Sequence, residues 1–159
     1  MSAVEMAVAQ QGRGLETMRV ISDTFRLATD SRLELYNLTE RVTELIKRHG
    51  VKDGLVLLQS MHTTMALFVN EWQSALLHDI KSMLNTIVSP EQSWRHDDPR
   101  YSDCDRSNAR SHLQAALLSH AVCFPIAKGK LVLGEFQAII AAELDGPRKR
   151  DLAVQIIGR

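Results

Sequence analysis

The chain has 159 residues, 45% of them hydrophobic and 24% charged, with 19 basic and 19 acidic side chains. That length suits one domain, which on folding buries about 70% of the surface its unfolded chain exposes, so its core needs no staples. A formal net charge of zero argues against a nucleic-acid partner, and 5% aromatic content argues against a base-stacking platform. A mean hydropathy of −0.14 with no long apolar run argues against a membrane-spanning helix.

Residues 1–14 end in Gly12-Arg13-Gly14 and read as a flexible arm ahead of one domain over residues 15–159. The first residues lack the charged and apolar regions of a secretory leader, which predicts a cytoplasmic protein. Rough alternation with β-branched residues predicts a strand from Thr17 to Leu27. Asn37 and Glu40 form a capping-box pattern before Leu38, Val42, Leu45, Ile46 and His49, which recur at helical spacing up to Gly50. Lys52-Asp53-Gly54 is a turn, and Leu55 to Asn70 reads as an extended stretch, two strands if it breaks near His62.

Ser74 to Val88 reads as a second helix with Leu76, Ile80, Met83, Leu84 and Ile87 toward a core. Residues 89–106 show no hydrophobic period, and an irregular run of that length inside a domain points to function or disorder. Asp105 or Ser107 can cap a short helix reaching Leu118. Strands follow over Val122–Ile126, Leu131–Leu144 and Leu152–Ile157, separated by Lys128-Gly129 and Asp145-Gly146-Pro147. This order predicts an α+β fold.

Six histidines are the chemical feature of interest, since Cys104 and Cys123 are too few for a disulfide framework or a Cys-only zinc site. In an unbroken extended stretch, Ser60, His62, Thr64 and Asn70 share one face, which suits either a pocket wall or ordinary exposed surface. On the third helix, Asn108, His112, Ala115 and Ser119 fall on one stripe beside apolar Ala109, Leu113, Ala116 and Leu117. His96 lies in Trp94-Arg95-His96-Asp97-Asp98, where an imidazole ligand and its carboxylate partner, or a solvated loop, are both available. Gln137 and Glu143 share parity in the predicted 131–144 strand, and Arg148-Lys149-Arg150 is a basic turn suited to an anion or simply solvated.

Together these pieces resemble the YjbQ family, associated with secondary thiamine-phosphate synthase activity. The resemblance covers Thr17 to Gly158 and rests on Val51-Lys52-Asp53-Gly54-Leu55, His62-Thr63-Thr64, Asn70-Glu71 and Arg95-His96-Asp97-Asp98. It continues through Asn108, Ser111-His112-Leu113, Leu117-Leu118, Gly134-Glu135-Phe136-Gln137 and Glu143-Leu144-Asp145-Gly146-Pro147-Arg148. Two departures stand out: Glu135-Phe136 replaces a usual Thr-Trp, and Ser119 replaces a usual glycine.

The resemblance implies a β-sandwich with a few flanking helices, a homotrimer, and a divalent metal, zinc above all, held by His62, His96 and His112. Three neutral imidazoles leave a tetrahedral position open, as in catalytic zinc sites. The implied reaction joins a pyrimidine methyl diphosphate to a thiazole phosphate and releases pyrophosphate. Thr64, Asn70 and Glu143 are the candidates for substrate or proton placement, and Arg95, Gln137 and Arg148 for anion or substrate binding. Hydrolysis of a small phosphorylated metabolite, or non-catalytic metal or metabolite binding by a trimer, are the alternatives.

Overall fold

The computed structural model describes residues 17–159, so the arm expected over residues 1–14 lies outside the described residues. Among the described residues, eight strands form two antiparallel sheets. The larger has the order β1-β8-β3-β5-β6, from Arg19–Ala28, Lys149–Gly158, Gly54–Ser60, Ala121–Ala127 and Lys130–Leu131. The smaller has the order β2-β7-β4, from Glu34–Asn37, Ala138–Glu143 and Met65–Asn70. With helices α1 (Thr39–His49), α2 (Ser74–Ile87) and α3 (Ala109–Leu117), this is the expected α+β fold.

Two apolar layers hold it together. Between the sheets, Val56, Leu58, Phe124, Leu152, Val154 and Ile156 meet Met65, Leu67, Ile139 and Ala141, and Val42, Leu45 and Ile46 of α1 close that layer. On the other face of the small sheet, Ala66, Ala138, Ile140 and Ala142 pack under Ile80 and Leu84 of α2 and Ala115 of α3. Strand β7 is therefore buried on both faces at all of its positions.

Several expectations needed correction. The predicted 131–144 strand is β6 and β7, in different sheets, separated by residues 132–137. A chain changing sheets must leave the ladder, and Gly134 N–H donates to Gln137 Oε1 at 2.7 Å within that turn. Glu135 and Phe136 are exposed, so alternation there does not mark a core face. Strand β2 was not anticipated: it is four residues long and only Leu35 is buried. Lys149 and Arg150 belong to β8 rather than a turn.

In α2, Ile80 and Leu84 are buried as expected, whereas Met83 and Ile87 are exposed. Apart from Ala109, which is buried as read, the faces of α3 are the reverse of the reading by hydrophobicity. Leu113 and Leu117 are exposed, while Ser111, Gln114 and Ala115 are buried. Ser111 Oγ donates to Leu144 O at 2.5 Å, so a polar contact at the end of β7 decides which face turns inward. Neither Asp105 nor Ser107 caps α3; the carboxylate of Asp97 accepts from Ala109 N–H at 2.8 Å. Helix α1 closes on Gly50 as read, at φ 65°. Its start differs from a capping box: Asn37 Oδ1 accepts from Thr39 N–H and Leu38 is the N-cap.

Candidate functional site

The extended stretch does break at His62, between β3 and β4. The break turns His62 and Thr64 toward the ends of β7 and β8, where a cavity of about 330 Å³ lies. One wall, the strand wall, is built from β8 and the β3–β4 connection and carries Arg150, His62 and Thr64; the other carries His96, Cys104, Arg106, Asn108 and His112 from the 89–108 segment and α3. The three histidines of the resemblance thus line one cavity.

The strand wall is anchored by a buried ion pair. Glu143 is fully buried, and Arg150 donates to it through Nε at 2.6 Å and Nη2 at 2.5 Å. Glu143 also accepts from Thr29 Oγ1 at 3.0 Å and from Asp145 N–H at 2.7 Å, which occupies its oxygens. Arg150 Nη2 further donates to Thr64 Oγ1 at 3.0 Å. Gly146 makes this approach possible, because a Cβ there would lie 2.2 Å from Ser31 O and 2.9 Å from Thr29 Oγ1. His62 is fixed next to the pair: its Nε2 accepts from Asp151 N–H at 2.9 Å, and Ser60 Oγ accepts from its backbone N–H at 3.3 Å. Burial, and after it the Arg150 charge, hold the His62 imidazole below its ordinary pKa of 6.5.

The other wall is more loosely made. His96 sits in the short 3-10 turn Arg95–Asp97, with Nδ1 3.5 Å from Ser102 Oγ. Its ring meets that of His112 edge to face, with centroids 5.0 Å apart. Burial, followed by repulsion from His96, lowers the His112 pKa. Asn108 Nδ2 donates to Asp145 Oδ2 at 2.9 Å and ties this wall to the strands. His96 Nε2 is buried without a hydrogen-bond partner.

The remaining candidates lie elsewhere. Asn70 is exposed at the far end of β4, about 20 Å along the chain from Thr64 at the extended rise per residue, and its Oδ1 accepts from Glu71 N–H. Gln137 is exposed and tied to Gly134. Glu143 is behind the wall, with no free oxygen for a substrate proton. Arg148 binds Asp145 Oδ2 at 2.9 Å and Asp145 O at 2.8 Å. Arg95 lines neighbouring clefts and lies 5.3 Å above the Tyr101 ring. Sequence reasoning named Arg150 only as part of the 148–150 basic turn and passed over Arg106. Strand alternation could have found Arg150, since it shares parity with the buried Leu152, Val154 and Ile156.

Two of the three imidazoles have a spacing compatible with a shared metal ion. An ion about 2.0–2.1 Å from a nitrogen of each ring, under tetrahedral angles, places two imidazole centroids about 5 Å apart. His96 and His112 meet that spacing, and the orphaned His96 Nε2 is the kind of buried polar atom that calls for an ion or water. His62, as bonded, has its Nε2 lone pair committed to Asp151. Among the described residues, no three of His, Cys, Asp and Glu stand close enough together to hold an ion.

A two-sheet α+β domain thus carries a polar, histidine-lined cavity near the ends of β7 and β8. The chain belongs to the family described as UPF0047 protein YjbQ-like, whose model matches residues 23–159. A UPF0047 protein of Methanothermobacter thermautotrophicus is 37% identical over 89% of this chain and 95% of its own length. One from Archaeoglobus fulgidus is 38% identical over 82% of this chain and 97% of its own. Among solved structures, a YbjQ-like protein of unknown function from Sulfolobus solfataricus P2 matches at TM-score 0.83 and 34% identity, over 90% of this chain and all of that one. No helix among the described residues is long and apolar enough to cross a membrane.

Proposed function

We propose that the chain is a metal-assisted enzyme acting on a small phosphorylated metabolite in the histidine cavity. The observation that carries this reading is the buried, unpartnered Nε2 of His96 beside His112. An unsatisfied polar atom costs about 1–3 kcal/mol, and an ion held by this pair would remove that cost. Imidazole ligands suit zinc, and also copper, iron or nickel. When bound, the ion would supply electrophilic stabilisation of an anionic oxygen. Asn108 and Asp97 hold the segment that bears the pair, and Arg106 brings a cation to the cavity.

The reaction that the family resemblance implies is the specific form of this proposal. A bond forms between the thiazole nitrogen and the pyrimidine methylene carbon, and the bond from that carbon to the diphosphate oxygen breaks, leaving pyrophosphate. The homotrimer belongs to the same reading. Val20, Ile157, Leu55 and Pro125 form one cross-strand row on the outer face of the large sheet, and all are exposed in the single chain.

Elemental analysis and product analysis of metal-loaded protein test the proposal. Coupling consumes both precursors, whereas loss of the diphosphate alone marks hydrolysis. A wild type that binds no metal, or turns over neither precursor set, overturns the enzymatic reading.

A further inference from the structure

We infer that Arg150 Nη1 and the Nδ1–H of His62 form a preformed phosphoryl-binding subsite, so that His62 contacts the phosphate of a ligand rather than the metal. The inference rests on the reading of this cavity as a phosphate-handling site and names the residues that grip the anion.

Arg150 is only 4% exposed, an unusual place for a guanidinium. Glu143 takes Nε and Nη2 on one side, and Thr64 takes Nη2 again. Nη1 bonds to no group among the described residues and is not among the atoms sealed off without a partner. The free edge of the fork therefore opens on the cavity that Arg150 lines. Since the pair is buried and geometrically fixed, that edge is aimed before any ligand arrives.

The same logic applies to His62. Its Nε2 accepts a backbone N–H from Asp151, the residue that follows Arg150. A neutral imidazole with Nε2 as acceptor carries its proton on Nδ1, which makes Nδ1 a donor with no lone pair for a metal. No protein group among the described residues takes that Nδ1 proton, and His62 lines the same cavity as Arg150. Its lowered pKa, with the Arg150 charge among the causes, agrees with a neutral ring close to the guanidinium.

Two directed N–H donors thus come from separate elements, with the Arg106 cation at the same cavity. That arrangement suits a tetrahedral phosphoryl group, whose several acceptor oxygens can take donors from different directions. The charges of Arg150 and Arg148 are already matched by Glu143 and Asp145, so the subsite acts through directed donors more than through net charge.

The test uses metal-free wild-type protein carrying 15N-labelled histidine, with inorganic phosphate as the probe. His62 is expected as the Nδ1-protonated tautomer, and its signals should move as phosphate is added. His62→Ala and Arg150→Lys should each weaken phosphate binding about tenfold, and His62→Ala should keep the wild-type zinc content. If Arg150→Lys does not fold, His62→Ala alone decides the matter. An Nε2-protonated His62, unchanged phosphate affinity in His62→Ala, or loss of zinc from that variant overturns the subsite. Phosphate binding here needs neither metal nor turnover. A protein that binds phosphate at His62 but couples nothing keeps the subsite and loses only the reaction.

Discussion

The two walls of the cavity differ in how completely the protein finishes them. On the strand wall Glu143 accepts four hydrogen bonds and Arg150 sits locked between it and Thr64. On the other wall, His96 has one long contact, 3.5 Å to Ser102, and a buried nitrogen with none. The strand wall is complete as folded and suited to holding a fixed anion. The loop wall leaves that nitrogen unpartnered, and in our proposal an ion held by its two imidazoles completes it.

The largest effect should come from breaking the strand wall. Glu143→Ala leaves the Arg150 charge buried and unpaired, and chemical denaturation should show a loss of about 3–5 kcal/mol. The double replacement Glu143→Leu with Arg150→Met should recover most of that stability while abolishing phosphate binding. Recovery would show that the pair is retained for the site rather than for the fold.

Zinc should separate the walls next. It should raise the Tm of the wild type by mass action, and His96→Ala or His112→Ala should remove the rise while changing the metal-free Tm little. Asp97→Ala removes the acceptor of the Ala109 N–H at the start of α3. It should cost about 1 kcal/mol in denaturation and weaken zinc binding by loosening the loop wall.

Acid should act in a smaller way on both walls. The His62 and His112 pKa values are lowered from 6.5 in the folded chain, chiefly by burial, so the unfolded chain takes up protons first as pH falls. Metal-free protein should therefore hold this increment of stability above about pH 6.5 and lose it as pH drops from there to the folded pKa values. Smallest of all, Asn70→Ala and Gln137→Ala should each change stability by no more than about 0.5 kcal/mol and leave phosphate affinity intact.

What the sequence revealed follows the same division. Helix α1 was legible because its apolar positions keep one period and Gly50 ends it. The 131–144 region was not, because β7 is apolar on both faces and alternation carries no signal in such a strand. The faces of α3 misled because Ser111 and Gln114 are turned inward, where Ser111 finds a backbone acceptor, while Leu113 and Leu117 are left exposed. His62, His96 and His112 came from the family resemblance, since nothing local makes a strand break, a loop and a helix converge. The basic run at 148–150 was visible but was read as a turn; as part of β8, Arg150 shares the buried parity of Leu152, while Arg148 is bound to Asp145.

A zinc titration of metal-free protein, read through the nitrogen signals of its 15N-labelled histidines, tests the two-wall account most directly. His96 and His112 should shift together and saturate at one zinc per chain. His62 should keep its Nδ1-protonated form, and His49, His78 and His120 should stay where they were. Binding that takes His62 as a ligand, or a titration in which His96 and His112 do not move, would contradict it.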